Sequence, residues 1–585
     1  MAEVMEHQDV FEYIKSKEND YRTVRIPLTN SKDWNMYEHI QRCKNVANAW
    51  YHQGANDGKR PYDDIVTPIV DVAIRSEGFD VKDIVPYVND AQNYYKSFLI
   101  KKYHPQWARK NELDTFIDEV VENSVIFDLA LIKNLNQVRP EVVDLTTIAF
   151  CNQINVMLGP ICLKHSMSVA EIVEQKGKWD SDKIDQAILM SSEEMKVAIA
   201  NDQQTKLPSK NIEVYELRGD LPELWIDETG EMHKYVPQMQ IVCYYNDKEG
   251  NRKGITLFKG KDKPLSDNFK ALKIDSVRSE GRACGRSVVE RLFEPQVWNN
   301  YSGIKIKEML DSALNIFQTD SEEYKGQKLS SLKTNTVLGH ETNKPITKVN
   351  GDLQNLTAFT NHQIKQQNSA RELGSASEAS LGKNPVSGTP FALQNLIVQE
   401  GQGMHDYRQG KIATFFADVL YRDWILGYLV KDMNKGKKFS EELTFEEMQE
   451  LVKIVSENEA NQTIKQMIIE GKEVNDEVKA QITKIKKDAF FAGGTRRFFE
   501  TLENELKDLP VDVFVNISGK QKRMAENADK ISNLITKFLQ AGVPLQNLTT
   551  QINELLENSD MSPINFPDVI TPPEQTQAQP ELQVA

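Results

Sequence analysis

The sequence predicts an α+β protein in which helices outweigh strands. Long segments repeat apolar residues every three or four positions, which is the spacing of amphipathic helices. The stretch from Leu207 to Ser279 instead carries short runs rich in Val, Ile, Tyr and Trp, separated by turn signals, as strands do. The chain has 585 residues, 39% of them apolar, so it can form several hydrophobic cores.

In the N-terminal third, the sequence predicts both helices and strands. Helical patterning covers Asn111 to Ile132, and short strands are expected from Leu135 to Phe150. The sequence SVAE, Ser168 to Glu171, is a capping box that predicts a short helix through Glu174. A longer helix is expected from Ser181 to Asp202, where the apolar positions recur at helical spacing.

A β-rich segment and a long helix follow. Four strand-like runs lie between Leu207 and Ser279, namely NIEVYELRG, ELWID, PQMQIVCYYND and RKGITLFKG, and they predict a small β module inserted between two helices. After Gly285 the helical period returns and predicts a helix that reaches about residue 318.

The C-terminal half is predicted to be mostly helical. A short strand is expected from Thr334 to Leu338, and Thr389 caps a helix that runs on to about Met433. The run VDVFVNI, Val511 to Ile517, predicts another strand, and two further helices are expected at about 520–540 and 545–557. The last residues are rich in Pro and Gln, which is typical of disordered chain.

The composition excludes several classes of protein. The net charge is -15 at pH 7, so a broad basic surface that grips nucleic acid is not expected. The start of the chain is too acidic for a signal peptide, and no stretch is apolar enough to predict a membrane span. The five cysteines form no CxxC pair, which indicates reduced thiols rather than zinc or redox chemistry. They are Cys43, Cys151, Cys162, Cys243 and Cys284.

The stretch GRACGRSVVE at first resembles a phosphate-binding loop. That loop needs GxxxxGK[ST], but here Gly281 and Gly285 are one position too close and no lysine follows. A turn into a helix explains the residues better. Gly285 would allow the turn, Ser287 would cap the helix, and Glu290 would reach back to the Ser287 N–H in a capping box.

No catalytic, cofactor or metal site is predicted. The chain has no HExxH, GxSxG or DxDxDG pattern, and its nine histidines are scattered. Several weaker clusters carry no predicted catalytic site. The histidine, the carboxylate pairs and the lysines are interpreted as loops or solvated faces, with a phosphate contact left open for the lysines, and the run of arginines and phenylalanines is too short for a stacking platform. The clusters are His52 beside Asn56-Asp57-Gly58, the pairs Asp63-Asp64, Glu193-Glu194 and Glu441-Glu442, the lysines Lys431, Lys435, Lys437 and Lys438, and the run Arg496-Arg497-Phe498-Phe499.

Three stretches, taken in their order along the chain, resemble one family. MSVAEIVEQKGKW (167–179) is similar to the segment before that family's first stem helix. GRSVVERLFEPQVWNN (285–300) resembles the start of its second stem helix, with Gln296 at the matching place. ELGSASEASLGKNPVSGTPFALQNLI (372–397) resembles the loop and Thr-started helix before its long wing helix. The family is the portal, or head–tail connector, proteins of tailed bacteriophages.

The resemblance implies a portal-type subunit. Gly285, Ser287 and Glu290 would mark the start of the second stem helix, and Lys325 and Lys328 would be candidate tunnel-loop contacts to DNA. The implied parts are an N-terminal region and wing (1–180), a first stem helix (181–206), a β-rich clip (207–281), a second stem helix (286–318), a tunnel loop and wing with a long helix (319–517), crown helices (518–561) and a disordered tail (562–585).

The resemblance also implies a function without chemistry of its own. Copies of the chain would close into a ring, a dodecamer, at one capsid vertex of the virion after assembly in the host cytoplasm. Double-stranded DNA would pass through the ring during packaging and ejection. The partners would be the large terminase subunit, the major capsid protein and neck or tail adaptors, with no membrane and no cofactor.

Two other functions stay open at this point. A nucleic-acid-processing enzyme would need a phosphate loop or a cluster of metal-binding carboxylates, and neither pattern occurs. A helical adaptor or scaffold with a β insertion would work as a monomer or small oligomer.

Overall fold

Helices carry most of the described chain, and strands form small sheets among them. The predicted class, α+β and mainly helical, is therefore confirmed. The chain divides into two compact units, residues 1–515 and 516–585. The computed structural model describes residues 10–29, 32–50, 62–88, 94–200, 211–227, 229, 233–246, 252–276, 278–279, 281–312, 316–320, 336–341, 344, 354–376, 381, 403–443, 445–470, 475–492, 496–501 and 510–515, all in the first unit.

The N-terminal region is an assembly of helices with short strands at its edges. Its elements are α1 (Val10–Thr23), β1 (Ile26–Thr29), β2 (Lys32–Trp34), α2 (Met36–Ala47), α3 (Thr67–Glu77), β3 (Ile84–Val88), α4 (Tyr94–Lys110), α5 (Leu113–Phe127), β4 (Ala130–Lys133), β5 (Glu141–Val142) and β6 (Ile148–Phe150). Helix α5 is shorter than predicted because Asp128 adopts a left-handed conformation (φ 51°) and ends it. The chain then enters β4, so the last predicted helical residues are strand.

A five-stranded antiparallel sheet forms the centre of the β-rich region. The elements here are β7 (Ile161–Met167), α6 (Val169–Glu174), α7 (Ser181–Ala200), β8 (Ile212–Pro222), β9 (Tyr235–Asn246), β10 (Arg252–Lys261), α8 (Leu265–Asn268) and β11 (Phe269–Leu272). The strand order is β10-β9-β8-β7-β6. Helices α6 and α7 pack Ile172, Ile184 and Ala187 on this sheet, in one core with Val214 and Cys243.

The β-rich segment does not pair only with itself. Strand β8 pairs with β7, which precedes the segment, and β11 pairs with β4. Local sequence patterns carry no information on such distant pairing. One of the four expected strands is wrong: in ELWID, Glu223–Trp225 is a turn of 3₁₀ helix that follows the end of β8.

Two packed helices follow the β-rich region. They are α9 (Val288–Ser312) and α10 (Gln354–Leu373), and a parallel pair, β12 (Ile316–Thr319) and β13 (Thr336–Gly339), lies between them in the sequence. Helix α9 ends at Ser312, before the predicted position, and residues 316–319, where helix was expected to reach about 318, form strand β12. Helix α9 packs most extensively on α10, and it also contacts α2, α3 and α5.

The C-terminal part of the first unit returns to the N-terminal region. Its elements are α11 (Gly403–Phe415), a π-helical stretch (Phe416–Ile425), α12 (Leu426–Met433), β14 (Lys438–Glu442), α13 (Phe445–Ile469), α14 (Asp476–Ala492), β15 (Arg496–Glu500) and β16 (Val511–Val515). Strand β16 pairs antiparallel with β3, although more than 400 residues separate them in the chain. This pairing joins the C-terminal part of the first unit directly to the N-terminal region.

Several local predictions are confirmed. Ser168 and Glu171 form both hydrogen bonds of the predicted capping box, and α6 ends at Glu174 as expected. Helix α7 begins at Ser181, and the three elements from Gly403 to Met433 continue one another. Thr389, the two predicted helices after residue 517 and the Pro/Gln-rich tail lie outside the described residues.

Candidate functional site

The turn before α9 collects charged groups from four distant parts of the chain. Glu77 ends α3, Asp128 follows α5, Arg282 lies in the turn and Arg408 lies on α11. All four are buried. Buried charges are stable only when they are paired and hydrogen bonded, so this cluster fixes where the four segments meet.

Arg408 is the centre of the cluster. Its Nε donates to both carboxylate oxygens of Glu77, at 2.8 and 2.9 Å, and its Nη1 donates to Asp128 Oδ1 at 2.7 Å. Its Nη2 donates to the Ser124 carbonyl at 2.7 Å. Burial raises the pKa of the Asp128 carboxyl, and the charge of Arg408 opposes that shift. Both ring nitrogens of His405 also lie against acceptors, Glu77 Oε1 at 3.0 Å and the Gly374 carbonyl at 3.1 Å.

Gly285 is required at the turn because there is no space for a larger side chain beside Asp128. A Cβ at this position would overlap the Asp128 carboxylate, and the Gly285 N–H donates to the Asp128 carbonyl at 3.2 Å. The left-handed conformation in the turn belongs to Gly281, whose φ is 84°. The sequence-based reason for Gly285, conformational freedom, is thus replaced by close approach of two chain segments.

The predicted capping box at the start of α9 forms only in part. Ser287 Oγ accepts from the Glu290 N–H at 2.9 Å, as expected of a helix cap. The Glu290 side chain does not return to the Ser287 N–H, because both its carboxylate oxygens accept from Arg282, at 2.9 and 2.8 Å. Burial alone would raise the pKa of the Glu290 carboxyl, but the hydrogen bonds from Arg282, together with nearby positive charge, lower it.

A second network, of amides around the Asp63 carboxylate, holds α9 one turn further along. Gln296 Nε2 donates to the Asp63 carbonyl at 2.8 Å, while Gln296 Oε1 accepts from the Ile65 N–H at 3.0 Å. One carboxylate oxygen of Asp63, Oδ2, accepts from Asn299 on α9 and from Gln363 and Gln367 on α10, at 3.0 to 3.1 Å. Asp63 therefore ties α9 and α10 to the chain segment that precedes α3.

The apolar residues of α9 are buried at the start of the helix and partly exposed further along it. In the first turns Val288, Val289 and Leu292 are buried. Further on, the apolar residues Val297, Trp298 and Tyr301 are 38%, 46% and 46% exposed, while the buried face consists of amides and a hydroxyl. Those buried polar residues are Gln296, Asn299, Asn300 and Ser302. Beyond its first turns, helix α9 thus buries mainly polar groups against its own chain and leaves its aromatic rings partly exposed.

The exposed rings are held in place by their neighbours. Trp298 and Tyr301 meet edge to face, with ring centroids 5.8 Å apart, and Lys305 lies 5.8 Å from the Tyr301 ring centroid. His362 of α10 contacts Trp298 and lies 2.8 Å, by Nδ1, from Ser302 Oγ. An ordered exposed aromatic surface is a common feature of protein–protein contacts.

The weaker candidates fall in different places. Lys325, Lys328, His52 and the segment Asn56 to Gly58 lie outside the described residues. Asp63 and Asp64 are structural, since Asp64 Oδ1 accepts from the Val66 and Thr67 N–H groups at the start of α3. Glu441 and Glu442 lie in β14 opposite Arg497 and Arg496 of β15, so these residues are paired strand positions rather than parts of a helix or loop. Lys437 pairs with Asp432 at 3.1 Å.

One groove in the described part of the chain is lined mainly by polar and charged residues. It encloses about 780 Å³ between α2, α5 and the segment around β5. Arg139 in its wall pairs with Glu112 and Glu119, and Lys44 pairs with Asp144. Glu122 and Glu141 also line the groove, so its carboxylates outnumber its basic groups.

Metal and membrane signals are absent from the described residues. No group of three or more His, Cys, Asp or Glu side chains there is arranged to hold a metal ion. No helix among those residues has the length and apolar content to cross a bilayer. The five cysteines are buried and free, and burial raises the pKa of the Cys43 thiol to about 12.

Comparison with known proteins adds no family assignment. No protein-family model matches this chain, and no curated protein matches it either.

Sequence reasoning missed most residues of this site. Gly285, Ser287 and Glu290 were recognised as the start of a helix, but Glu77, Asp128 and Arg408 are single charges in unremarkable local patterns. The amides of α9 gave one usable signal. Gln296, Asn299 and Asn300 interrupt an apolar helix at positions of one face, which is costly unless they are hydrogen bonded.

Proposed function

We propose that this chain is the subunit of a portal-type ring, a channel at one vertex of a viral capsid. The observation that carries the proposal is the unusual burial pattern of α9. Its aromatic residues Trp298 and Tyr301 face solvent, while its amides are buried against its own chain. A long helix of this kind needs a partner for its aromatic side. In a ring, every subunit provides that partner to its neighbour.

Ring closure makes specific demands on the surfaces. Each copy must place one surface against a different surface of the next copy, a heterologous contact that closes by rotation. The aromatic surface of α9, defined by Val297, Trp298 and Tyr301, would be one half of that contact. The Asp63 network supports this role because it holds α9 and α10 rigidly to the body, and a closed ring requires a fixed angle between neighbours.

The segments implied by the resemblance fit the described elements. Helix α7 lies within the proposed first stem helix (181–206), α9 lies within the second (286–318), and strands β8 to β10 lie within the clip (207–281). The pairing of β16 with β3 supports a wing built from both 1–180 and 319–517. The tunnel loop with Lys325 and Lys328, and the crown (518–561), remain proposals from the resemblance.

The partners and the location are part of the same proposal. The clip would dock the large terminase subunit and later the neck or tail adaptors, and the wing would contact the major capsid protein of the virion. The net charge of -15 suits a conduit for double-stranded DNA, because a surface that neutralised many phosphates would resist sliding.

The native mass of the purified full chain tests the proposal. A ring of about twelve 66.8 kDa chains would have a mass of about 0.8 MDa. Negative-stain images of the same sample should then contain annuli with a central hole wide enough for a duplex. Compact single particles at all protein and salt concentrations would refute the ring and favour a monomeric adaptor. Metal-dependent cleavage of DNA by the same sample would favour a nucleic-acid-processing enzyme instead.

A further inference from the structure

The groove between α2, α5 and the segment around β5 contains carboxylates that its own basic groups leave unpaired. Its acidic side chains are Glu112, Glu119, Glu122, Glu141 and Asp144, and its basic ones are Lys44, Lys110 and Arg139. Arg139 pairs with Glu112 and Glu119, at 2.7 and 2.8 Å, and Lys44 pairs with Asp144 at 3.1 Å. Glu122 and Glu141 are exposed, and their carboxylates form no ion pair or hydrogen bond with the described residues.

Lys110 is the remaining basic side chain of the lining. It lies in the last turn of α4, where the carbonyl end of a helix favours a positive charge. Its ammonium group forms no ion pair with the residues that the structure describes. The lining therefore has two unpaired carboxylates for one unpaired ammonium group, and it favours a cationic ligand.

Three asparagines add neutral acceptors to the groove. Asn48, Asn111 and Asn123 line it, and the Nδ2 of each donates to the backbone carbonyl four residues earlier, at 2.7 to 2.9 Å. Because a carbonyl only accepts, these bonds fix the orientation of each amide and leave its Oδ1 as the group that can take a further hydrogen bond. Within the described chain no donor contacts those three oxygens. A ligand that supplies N–H donors would satisfy them.

An exposed tryptophan belongs to the same lining. Trp50 is 47% exposed, and its indole forms no ring contact with the described residues. Tryptophan is the aromatic residue that attracts cations most strongly through its ring face. Leu135, which is 39% exposed, adds an apolar surface. The groove encloses about 780 Å³, a volume typical of sites for small molecules or short chain segments.

We propose that this groove binds a ligand that carries alkylammonium groups. Each ammonium group has three N–H donors and a compact positive charge, which match the Glu122 and Glu141 carboxylates and the asparagine oxygens. The methylene groups between successive ammonium groups would lie against Trp50 and Leu135. A single chain contains the whole groove, so the site goes beyond the proposed ring and does not depend on it.

Free polyamines and the lysine side chains of a protein segment share this chemistry. Calorimetric titration of the full chain with spermidine and, in parallel, with tetralysine separates the two sources; salt is kept at about 50 mM, where charged groups are weakly screened. Binding of either probe should weaken in the double variant Glu122→Gln with Glu141→Gln. Each carboxylate that is lost should reduce the affinity about tenfold.

Matched variants separate the groove from the general negative charge of the chain. Glu174→Gln with Glu372→Gln removes the same two charges from exposed positions outside the groove, so both affinities should stay unchanged. Trp50→Ala should weaken binding about two- to fivefold, and Trp50→Phe should weaken it less because a ring remains. Thermal melts without ligand show whether each variant is folded, and the Trp50 variants test the site independently of the carboxylates.

The outcomes decide the proposal. Binding of spermidine that depends on Glu122, Glu141 and Trp50 supports a polyamine site, and the same dependence for tetralysine supports a contact to lysine side chains. Absence of binding to both probes, or equal loss of affinity in the groove variant and in the Glu174 and Glu372 control, would overturn the proposal. Magnesium ions that bind more tightly than spermidine, and that need the two carboxylates but not Trp50, would also overturn it, in favour of a divalent-cation site.

Discussion

Arg408 Nη1 lies 2.7 Å from Asp128 Oδ1, although 280 positions separate the two residues in the sequence. This ion pair joins α11 to the end of α5, and the second carboxylate oxygen of Asp128 accepts from the Asp275 N–H at 2.9 Å in the turn before α9. A single buried aspartate thus connects three parts of the chain. The pair therefore positions the base of α9, from which the proposed ring contact extends.

Replacing Arg408 should be strongly destabilising. Arg408→Met leaves the Glu77 and Asp128 carboxylates buried without their partner, and such a loss costs about 3–5 kcal/mol. Denaturant unfolding measures the change. Arg422→Met, an exposed arginine in the same continuous helix, is the control and should change stability little. Adding Glu77→Gln and Asp128→Asn to Arg408→Met should recover part of the loss; no recovery would show that the ion pairs are not its cause.

Gly285→Ala should destabilise the turn by steric overlap. The added methyl group meets the Asp128 carboxylate, which cannot move without breaking its bonds to Arg408 and Asp275, so a cost of about 1–3 kcal/mol or more is expected. Gly427→Ala is the matched control, because its Cβ would meet nothing within 4 Å and alanine favours a helix. Thermal melts of both variants check this, and equal stabilities would contradict the close-approach argument.

Stability should fall as the pH drops from about 6.5 to 5. Burial lowers the pKa of His39 and of His104 to about 4, so both stay neutral in the folded chain while the unfolded chain takes up protons below about pH 6.5. Folding therefore weakens toward acid, by up to about 3 kcal/mol per histidine once the pH reaches 4. His104→Gln should flatten the pH profile of the melting temperature, whereas exposed His233→Gln should not. If the native chain, His104→Gln and His233→Gln gave parallel pH profiles of the melting temperature, the prediction of neutral buried histidines would be contradicted.

Asp63→Asn should loosen α10 without unfolding the protein. In the native chain one carboxylate oxygen of Asp63 accepts from Asn299, Gln363 and Gln367. The substitution removes the negative charge and replaces one of the two carboxylate oxygens with an NH2 group, which donates rather than accepts, so part of the network is lost. Hydrogen exchange of backbone amides in residues 354–373 should become about tenfold faster, as expected for loss of bonds to a charged group. Asp71→Asn, at an exposed position of α3, is the control. Unchanged protection of α10 would argue against Asp63 as the tie between the two helices.

Trp298→Glu and Tyr301→Glu should prevent assembly while leaving the chain folded. Both side chains are 46% exposed, so a charge there disturbs the single chain little but opposes burial against a neighbour. Native mass should fall from the ring to the single chain. Leu158→Glu, an apolar position that is 71% exposed elsewhere, should leave the ring intact. A normal ring in the Trp298 and Tyr301 variants would exclude this surface as the contact.

The local elements could be predicted because their causes are local. The capping box at Ser168, the start of α7 at Ser181 and the strands β8, β9 and β10 follow from caps, turn residues and periodicity within about ten positions. Errors occurred where one residue redirects the chain. Asp128 ends α5 early, and β12 pairs with a distant strand where helix was expected.

The sequence by itself determined the class, the order of helices and strands, and the absence of the common catalytic motifs, since these depend on residue type and spacing along the chain. Only the tertiary structure decided that Gly285 is needed beside Asp128, that Glu290 pairs with Arg282, and that the aromatic side of α9 faces solvent. The physical reason is that burial and pairing of a charge depend on which segments meet in space. A helical pattern fixes which residues share a face, but the rest of the fold selects the face that is covered.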